Sequence, residues 1–289
     1  MLENYQPGDL EAIHQGMMTQ EKLGGRFNKE YEQMMERAAE IEGAVVMNII
    51  KKESGKPGAP VHEWQARCMA DWSSVDKSGA VEWWNALPDG NLRDHLAGSL
   101  IEGIAGSSAQ DAWSAAMMFD PSQRANVAPE LVKAFARERG LEGGVEWLAS
   151  LGPEDAGAKS RALEELADYM HHIEPGRQGA LIERFAGEEW AGNCPAFRRV
   201  ARSWASRDAE AAAAWAGALP EASRQQALPE VIKNWAGRES AAAGAWLETQ
   251  VNAPDFPGLS ATFLQQLQNQ QSADYAAWNS RLGELTRNK

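Results

Sequence analysis

The fold is decided by one stretch of the chain, Asp208-Ala-Glu-Ala-Ala-Ala-Ala-Trp215-Ala-Gly-Ala-Leu219-Pro220-Glu-Ala-Ser-Arg224-Gln-Gln-Ala-Leu228-Pro-Glu-Val231-Ile-Lys-Asn-Trp235-Ala-Gly-Arg238. Its first half is an alanine-rich helix carrying one tryptophan. Leu-Pro predicts the end of that helix, because a residue before proline avoids the α region. The second half has apolar residues with i, i+3, i+4, i+7 spacing, which predicts the buried face of a second helix.

This helix pair recurs along the chain, and the large side chains mark its period. Two ladders of apolar residues show steps of 29–35 residues, except one tryptophan-to-tryptophan step of 68 that is halved by a leucine. The first ladder is Trp84, Trp113, Trp147, Leu181, Trp215, Trp246 and Trp278, and the second is Trp72, Ile104, Phe135, Tyr169, Trp204, Trp235 and Leu267. A single helix pair cannot bury its own apolar face, so we expect neighbouring pairs to stack and the tryptophans to fill the space between them.

The ladders predict an all-α fold, a right-handed α-solenoid of about six to seven antiparallel helix pairs with a repeat of 31–35 residues. We expect an N-terminal helical cap and loop over residues 1–60, with the loop at 51–60, because that segment is rich in Gly, Pro and Lys. Residues 61–289 would form the solenoid, closed by a C-terminal capping helix.

The quoted unit resembles the degenerate repeats of tetratricopeptide-like and HEAT-like α-solenoids. It more closely resembles the Trp- and Ala-rich helical-repeat proteins common in Verrucomicrobia and Planctomycetes, over roughly residues 62–282. The resemblance implies a fold, and it carries no functional residues over, because the small-residue and tyrosine positions of the tetratricopeptide pattern do not line up here.

Charge and cysteine content limit the partners. The chain has 41 acidic and 28 basic residues, a net charge of −13, and no basic stripe, so we expect no nucleic-acid partner.

Cys68 and Cys194 are separated by several repeats, which predicts two free thiols. The start of the sequence lacks a basic and apolar leader and no apolar run is long enough to span a membrane, which favours a cytoplasmic location. Export stays open, because a leader could have been removed.

The usual catalytic and metal patterns are incomplete. His62-Glu63 opens like a zinc-protease motif, but Ala66 stands where the second histidine would be. Adjacent His171 and His172 would point about 100° apart on a helix, which disfavours their binding one ion. We expect no metal, no cofactor and no enzymatic activity.

Three tryptophans are the candidate binding residues. Trp64 and Trp190 lie off both ladders, so we expect them to be exposed, and one of the adjacent Trp83 and Trp84 should face solvent or a groove. Trp84 is taken as the candidate of that pair.

The leading functional hypothesis is a non-catalytic scaffold or adaptor that binds a protein along a solenoid surface, with an acidic concave face favouring a basic partner. The alternatives are an α-helical carbohydrate-active enzyme or glycan-binding module, which needs two carboxylates in a pocket, and a structural subunit of a larger assembly.

Overall fold

The computed structural model describes residues 8–22, 28–54 and 61–287. Over these residues the chain forms fifteen α-helices and two short 3₁₀ turns, with no β-strand. The prediction of an all-α fold is confirmed. Among the helices of these three segments, none is both long enough and apolar enough to cross a membrane.

The chain divides into two compact units, residues 1–147 and 148–289. The helices of residues 1–150 are α1 (Leu10–Lys22), α2 (Asn28–Ser54), α3 (Glu63–Val75), α4 (Lys77–Asn85), α5 (Asn91–Ala105), α6 (Ala109–Ala116) and α7 (Pro121–Ser150). Those that follow are α8 (Ala156–Tyr169), α9 (Pro175–Glu183), α10 (Ala196–Ala205), α11 (Ala209–Ala218), α12 (Glu221–Arg238), α13 (Ser240–Thr249), α14 (Phe256–Asn269) and α15 (Tyr275–Arg287). The predicted boundary between residues 60 and 61 falls inside the first unit and stays a prediction.

Two of the long helices are each broken by a single residue. In α2, Glu42 has φ −139° and ψ 52°, and in α7, Gly140 has φ 75° and ψ 177°. A positive φ favours glycine, because other residues meet a steric penalty there. Each break divides one helix into two, so α2 and α7 are both helix pairs with almost no connecting loop.

Local signals in the sequence explain where several short helices begin and end. The side chains of Asp76, Ser108 and Asp208 each accept a hydrogen bond from the backbone N–H three residues on, at 3.0–3.1 Å. These caps satisfy backbone donors that have no partner inside the helix. Helix α11 ends before Leu219, whose ψ of 151° is extended, as the following proline requires.

Within each unit, some helices pack against both the next helix and the next but one. Helix α3 contacts α4 and α5, α10 contacts α11 and α12, and α12 contacts α13 and α14. Aromatic rings fill the space between the packed helices, as the ladders predict. The ring pairs that join one ladder to the other are Phe135–Trp147, Trp204–Trp215 and Trp235–Trp246, with centroids 5.4–6.2 Å apart.

An arginine at a recurring position ties the ends of consecutive helices together. The guanidinium groups of Arg93, Arg124 and Arg224 donate to the carbonyl oxygens of Leu87, Phe119 and Leu219, at 2.9, 2.6 and 3.3 Å. Each of these carbonyls lies just beyond the C-terminus of the preceding short helix, where backbone acceptors lack helical partners. The arginine therefore satisfies carbonyls that the turn leaves open.

The structure also tests the predicted start of the loop and the predicted state of the cysteines. Residues 51–54 are the last turn of α2, so the prediction that the loop begins at residue 51 is wrong. Composition predicts a loop for Lys51 and Lys52, but these residues continue the helix and suit its C-terminal dipole. Residues 55–60 of the predicted loop lie outside the described residues. Cys68 and Cys194 are both buried and free, which confirms the prediction of two free thiols.

Candidate interaction surface

The first half of α2 carries a row of glutamates. Glu32, Glu36 and Glu40 are spaced by four residues, so they lie on one side of the helix. Their side chains are 38%, 26% and 41% exposed. This row is the first part of a larger acidic surface.

Helix α3 places one arginine beside this row. Arg67 Nε lies 2.6 Å from Glu36 Oε1, and its other nitrogens lie 3.9 Å from Glu32 and 4.0 Å from Glu63. The hydrogen bond with Glu36 is the main reason that the pKa of Arg67 is raised, and the charges of the three glutamates add to it against the effect of burial. Three carboxylates thus surround one guanidinium.

Asp71 lies one turn further along α3 and experiences an excess of negative charge. Burial is the largest cause of its raised pKa, and Glu40, Glu36 and Glu102 of α5 raise that pKa further, while Arg67 lowers it. The like-charged neighbours disfavour ionisation of Asp71. Carboxylates from three helices therefore share one negative region.

We call this region the acidic face, and it consists of Glu32, Glu36, Glu40, Glu63, Asp71 and Glu102. In the described part of the chain, Arg67 and Arg37 are the cations that contact it, the latter paired with Glu40. Carboxylates outnumber cations three to one. The surplus matches the wider charge distribution, since residues 1–147 hold 23 acidic and 14 basic residues, against 18 and 14 in residues 148–289.

Helices α8, α10 and α12 of the second unit form ion pairs with one another. Arg199 of α10 contacts both Glu164, at 2.6 Å, and Asp168 of α8. The next arginine on that face, Arg202, lies 3.2 Å from Glu230 of α12. These ion pairs leave less unbalanced charge than the acidic face of the first unit.

Two of the three candidate tryptophans are buried. Trp64 is 8% exposed and meets the edge of Tyr31, with ring centroids 5.6 Å apart. Trp84 is 0% exposed; its Nε1 donates to the Arg93 carbonyl at 2.9 Å, and the Arg93 guanidinium lies 3.9 Å from its ring. The expected exposure is wrong for both, because neighbouring helices and an arginine cover the rings.

The neighbouring Trp83 is the partly exposed member of the adjacent pair. Its Nε1 donates to Asn48 Oδ1 at 3.0 Å, and its ring meets Trp72 edge-on. Adjacent residues on a helix face different directions, so the expectation that one of the two reaches solvent is met by Trp83, not by Trp84.

Trp190 is half-buried in the second unit and belongs to a polar cluster. Its Nε1 donates to Glu188 Oε2 at 2.5 Å, and the buried Lys159 Nζ lies 3.0 Å from the same oxygen. Burial acts to raise the pKa of Glu188, but the hydrogen bonds from Trp190 and Lys159 and the lysine charge outweigh burial and lower it. Trp64 and Trp84 lie in separate ring clusters of the first unit, so those two form no common site, and binding at Trp190 of the second unit stays a prediction.

Metal-binding groups and cavities are the other places where a ligand could bind. In the described part of the chain, no group of three or more His, Cys, Asp or Glu side chains is arranged to hold a metal ion. One cavity of about 230 Å³ lies beside Arg224 and Asp255, and another of about 480 Å³ lies along α2 beside Glu11 and Lys52. Neither of these two cavities is lined by a tryptophan or by a second carboxylate.

Comparisons of the chain with protein-family models, with curated proteins and with solved structures found no match.

The acidic face was not among the residues singled out from the sequence. One signal for it was present, the spacing of four between Glu32, Glu36 and Glu40. Asp71 and Glu102 gave no such signal, because only the packing of α3 against α2 and α5 brings them to the same surface.

Proposed function

We propose that this protein is a non-catalytic interaction scaffold, built as an α-solenoid of stacked helix pairs. Support comes from α3 in the first unit and from α10 and α12 in the second, each of which packs against the next helix and the next but one. A row of helix hairpins produces this pattern, because each pair contacts only its neighbours.

Side-chain contacts between residues about one repeat apart give further support for stacking. In the first unit, Trp83 donates to Asn48, 35 residues earlier, and Gln123 donates to Asp94, 29 residues earlier. In the second unit, Arg224 pairs with Asp255, 31 residues later. Contacts at this separation are those expected when equivalent positions of neighbouring pairs lie side by side.

The same stacking extends toward the N-terminus beyond the tryptophan ladders. The break at Glu42 makes α2 a helix pair, as the break at Gly140 does for α7. The first half of α2 is apolar on its inner side, where Tyr31, Met34 and Met35 are buried. The proposed array therefore begins at α2 and uses methionine and tyrosine where later pairs use tryptophan.

The acidic face is the proposed binding surface, and its ligand is a basic segment of a partner protein. The observation that carries this proposal is the excess of carboxylates around Asp71, whose pKa is raised by burial and by three glutamates. An arriving lysine or arginine would offset this repulsion, so binding and ionisation of Asp71 favour each other. Complementary charge also speeds encounter and selects against acidic partners.

The experiment compares two triple variants that change the net charge equally. The test variant replaces Glu32, Glu36 and Glu40 of the acidic face by glutamine. The control variant replaces Glu82, Glu146 and Glu210 by glutamine; these three glutamates are exposed and lie off the acidic face.

Binding of a fluorescent oligo-arginine peptide is measured by anisotropy at low and moderate salt. We expect the test variant to lose about 1–2 kcal/mol of binding free energy, about a tenfold rise in Kd, and the control to lose much less. The affinity of the unchanged protein should fall as salt rises. Equal losses in both variants would show that net charge alone attracts the peptide, and the acidic face would then be rejected as the site.

A further inference from the structure

Two adjacent methionines are exposed at the end of a helix. Met117 and Met118 follow the last residue of α6 and are 51% and 45% exposed. The other large apolar side chains that are exposed in the described residues, Ile41, Val45 and Val75, are not adjacent in the sequence. The two thioethers therefore lie together at the surface.

The other methionines whose side chains the structure describes are shielded. They are 0–5% exposed, and they are Met34, Met35, Met47, Met69 and Met170. Met1, Met17 and Met18 lie outside the residues whose side chains are described. Oxidation of a thioether requires the oxidant to reach the sulfur, so the exposed Met117 and Met118 should oxidise faster than the buried methionines.

Asn85 of α4 contacts one of the two sulfurs. Its Nδ2 donates to Met118 Sδ at 3.3 Å, and Met117 has no such donor. The nucleophile in thioether oxidation is a sulfur lone pair, and the asparagine N–H engages one of the two on Met118. The sulfurs should thus differ in reactivity although they are similarly exposed.

The backbone of this turn is held without help from the methionine side chains. The N–H of Met117 donates to the Trp113 carbonyl at 3.0 Å, and that of Met118 donates to the Ala115 carbonyl at 3.1 Å. A polar sulfoxide can therefore replace either thioether while the turn keeps its hydrogen bonds.

We propose that Met117 and Met118 form a reversible oxidation site for hydroperoxides. A sulfur lone pair attacks the terminal oxygen of the hydroperoxide; the S–O bond forms as the O–O bond breaks. Sulfur is oxidised by two electrons, the hydroperoxide is reduced, and the released oxygen leaves as water or an alcohol after taking a proton. The exposed apolar pair becomes polar, and methionine sulfoxide reductases reverse the change.

The experiment follows oxidation of the full chain by hydrogen peroxide, residue by residue, using peptide mass spectrometry. Met117 and Met118 should oxidise about tenfold faster than the five buried methionines, with no loss of the helical circular dichroism signal. Equal rates at buried and exposed methionines, or loss of helix in step with oxidation at Met117 and Met118, would overturn the proposal.

An Asn85→Ala variant tests the role of the asparagine within the same molecule. Met118 should oxidise faster relative to Met117, by about twofold, because both sulfur lone pairs become available. Asn126→Ala, which changes an exposed asparagine without a contact to either sulfur, is the control and should leave the ratio unchanged. An unchanged ratio in Asn85→Ala would contradict the assigned protection of Met118.

Discussion

Gly43 of α2 occupies a position where any side chain would overlap a buried tryptophan. A methyl group at this residue would lie 2.6 Å from Cδ2 of Trp72 and nearer still to Cγ, whereas ordinary contacts begin at 3.4 Å. Trp72 is only 5% exposed, so its ring has little room to withdraw. The ring or the helix would have to move by about 1 Å, which is a substantial rearrangement in a close-packed interior.

Gly43→Ala should therefore destabilise the protein, although alanine is the better helix former. Overpacking costs about 1–3 kcal/mol, and the helix propensity of alanine returns up to about 1 kcal/mol. We expect a net loss of about 2 kcal/mol in the free energy of unfolding, because the overlap is deep. Urea unfolding followed by circular dichroism measures it.

Gly98→Ala is the matched control for this change. Gly98 lies in the interior of α5, and a methyl group there meets no atom within 4 Å. The control should gain up to about 1 kcal/mol from helix propensity alone. Combining Gly43→Ala with Trp72→Leu should recover part of the loss, because the clash disappears. If Gly43→Ala proved as stable as Gly98→Ala, the close packing of Gly43 on Trp72 would be refuted.

Three further predictions concern single side chains. Arg93→Lys should lower the free energy of unfolding by about 1–2 kcal/mol, because lysine cannot reproduce the three carbonyl contacts at 2.9–3.1 Å. The control Arg198→Lys, at an exposed arginine, should lower it by less than about 0.5 kcal/mol, and urea unfolding measures both. The pKa of Glu188 is lower in the folded protein than in the unfolded chain, so ionised Glu188 stabilises the fold above the unfolded-state pKa, and this stabilisation is lost as pH falls through the folded-state pKa. The melting temperatures of Glu188→Gln and of the unchanged protein should therefore converge in acid and differ near neutral pH. Burial raises the pKa of the Cys68 and Cys194 thiols, so a thiol reagent should label them only after denaturant is added, and rapid labelling of folded protein would contradict their burial.

The helices themselves were predictable because their signals are local. The Leu-Pro step at residue 219 and the cap at Asp208 act within one turn, and the structure shows both. Gly140 likewise marks a break in α7, where glycine tolerates a positive φ. The break at Glu42 has only a weak mark, the adjacent Gly43, because glycine lowers helix propensity without requiring a break.

Exposure was harder to predict than helicity. Trp64 lies off the repeating ladders, yet it is 8% exposed because Tyr31 of α2 covers one side of its ring. Trp84 follows the first ladder and is fully buried beneath Arg93. Both outcomes depend on residues from other helices, and a periodic pattern within one helix does not identify those neighbours.

The amino-acid sequence alone predicted that the chain is helical, that a helix ends at the Leu219-Pro220 step, and that the two cysteines stay unpaired. Helicity and that helix end follow from backbone propensity and apolar periodicity, which act over a few residues. The cysteine prediction follows from the separation of Cys68 and Cys194 by several repeats. Which tryptophans are buried and which carboxylates meet depends on packing between helices that are distant in the sequence. Glu40, Asp71 and Glu102 are separated by about 30 residues each along the chain, and their electrostatic interaction arises only because α2, α3 and α5 pack side by side.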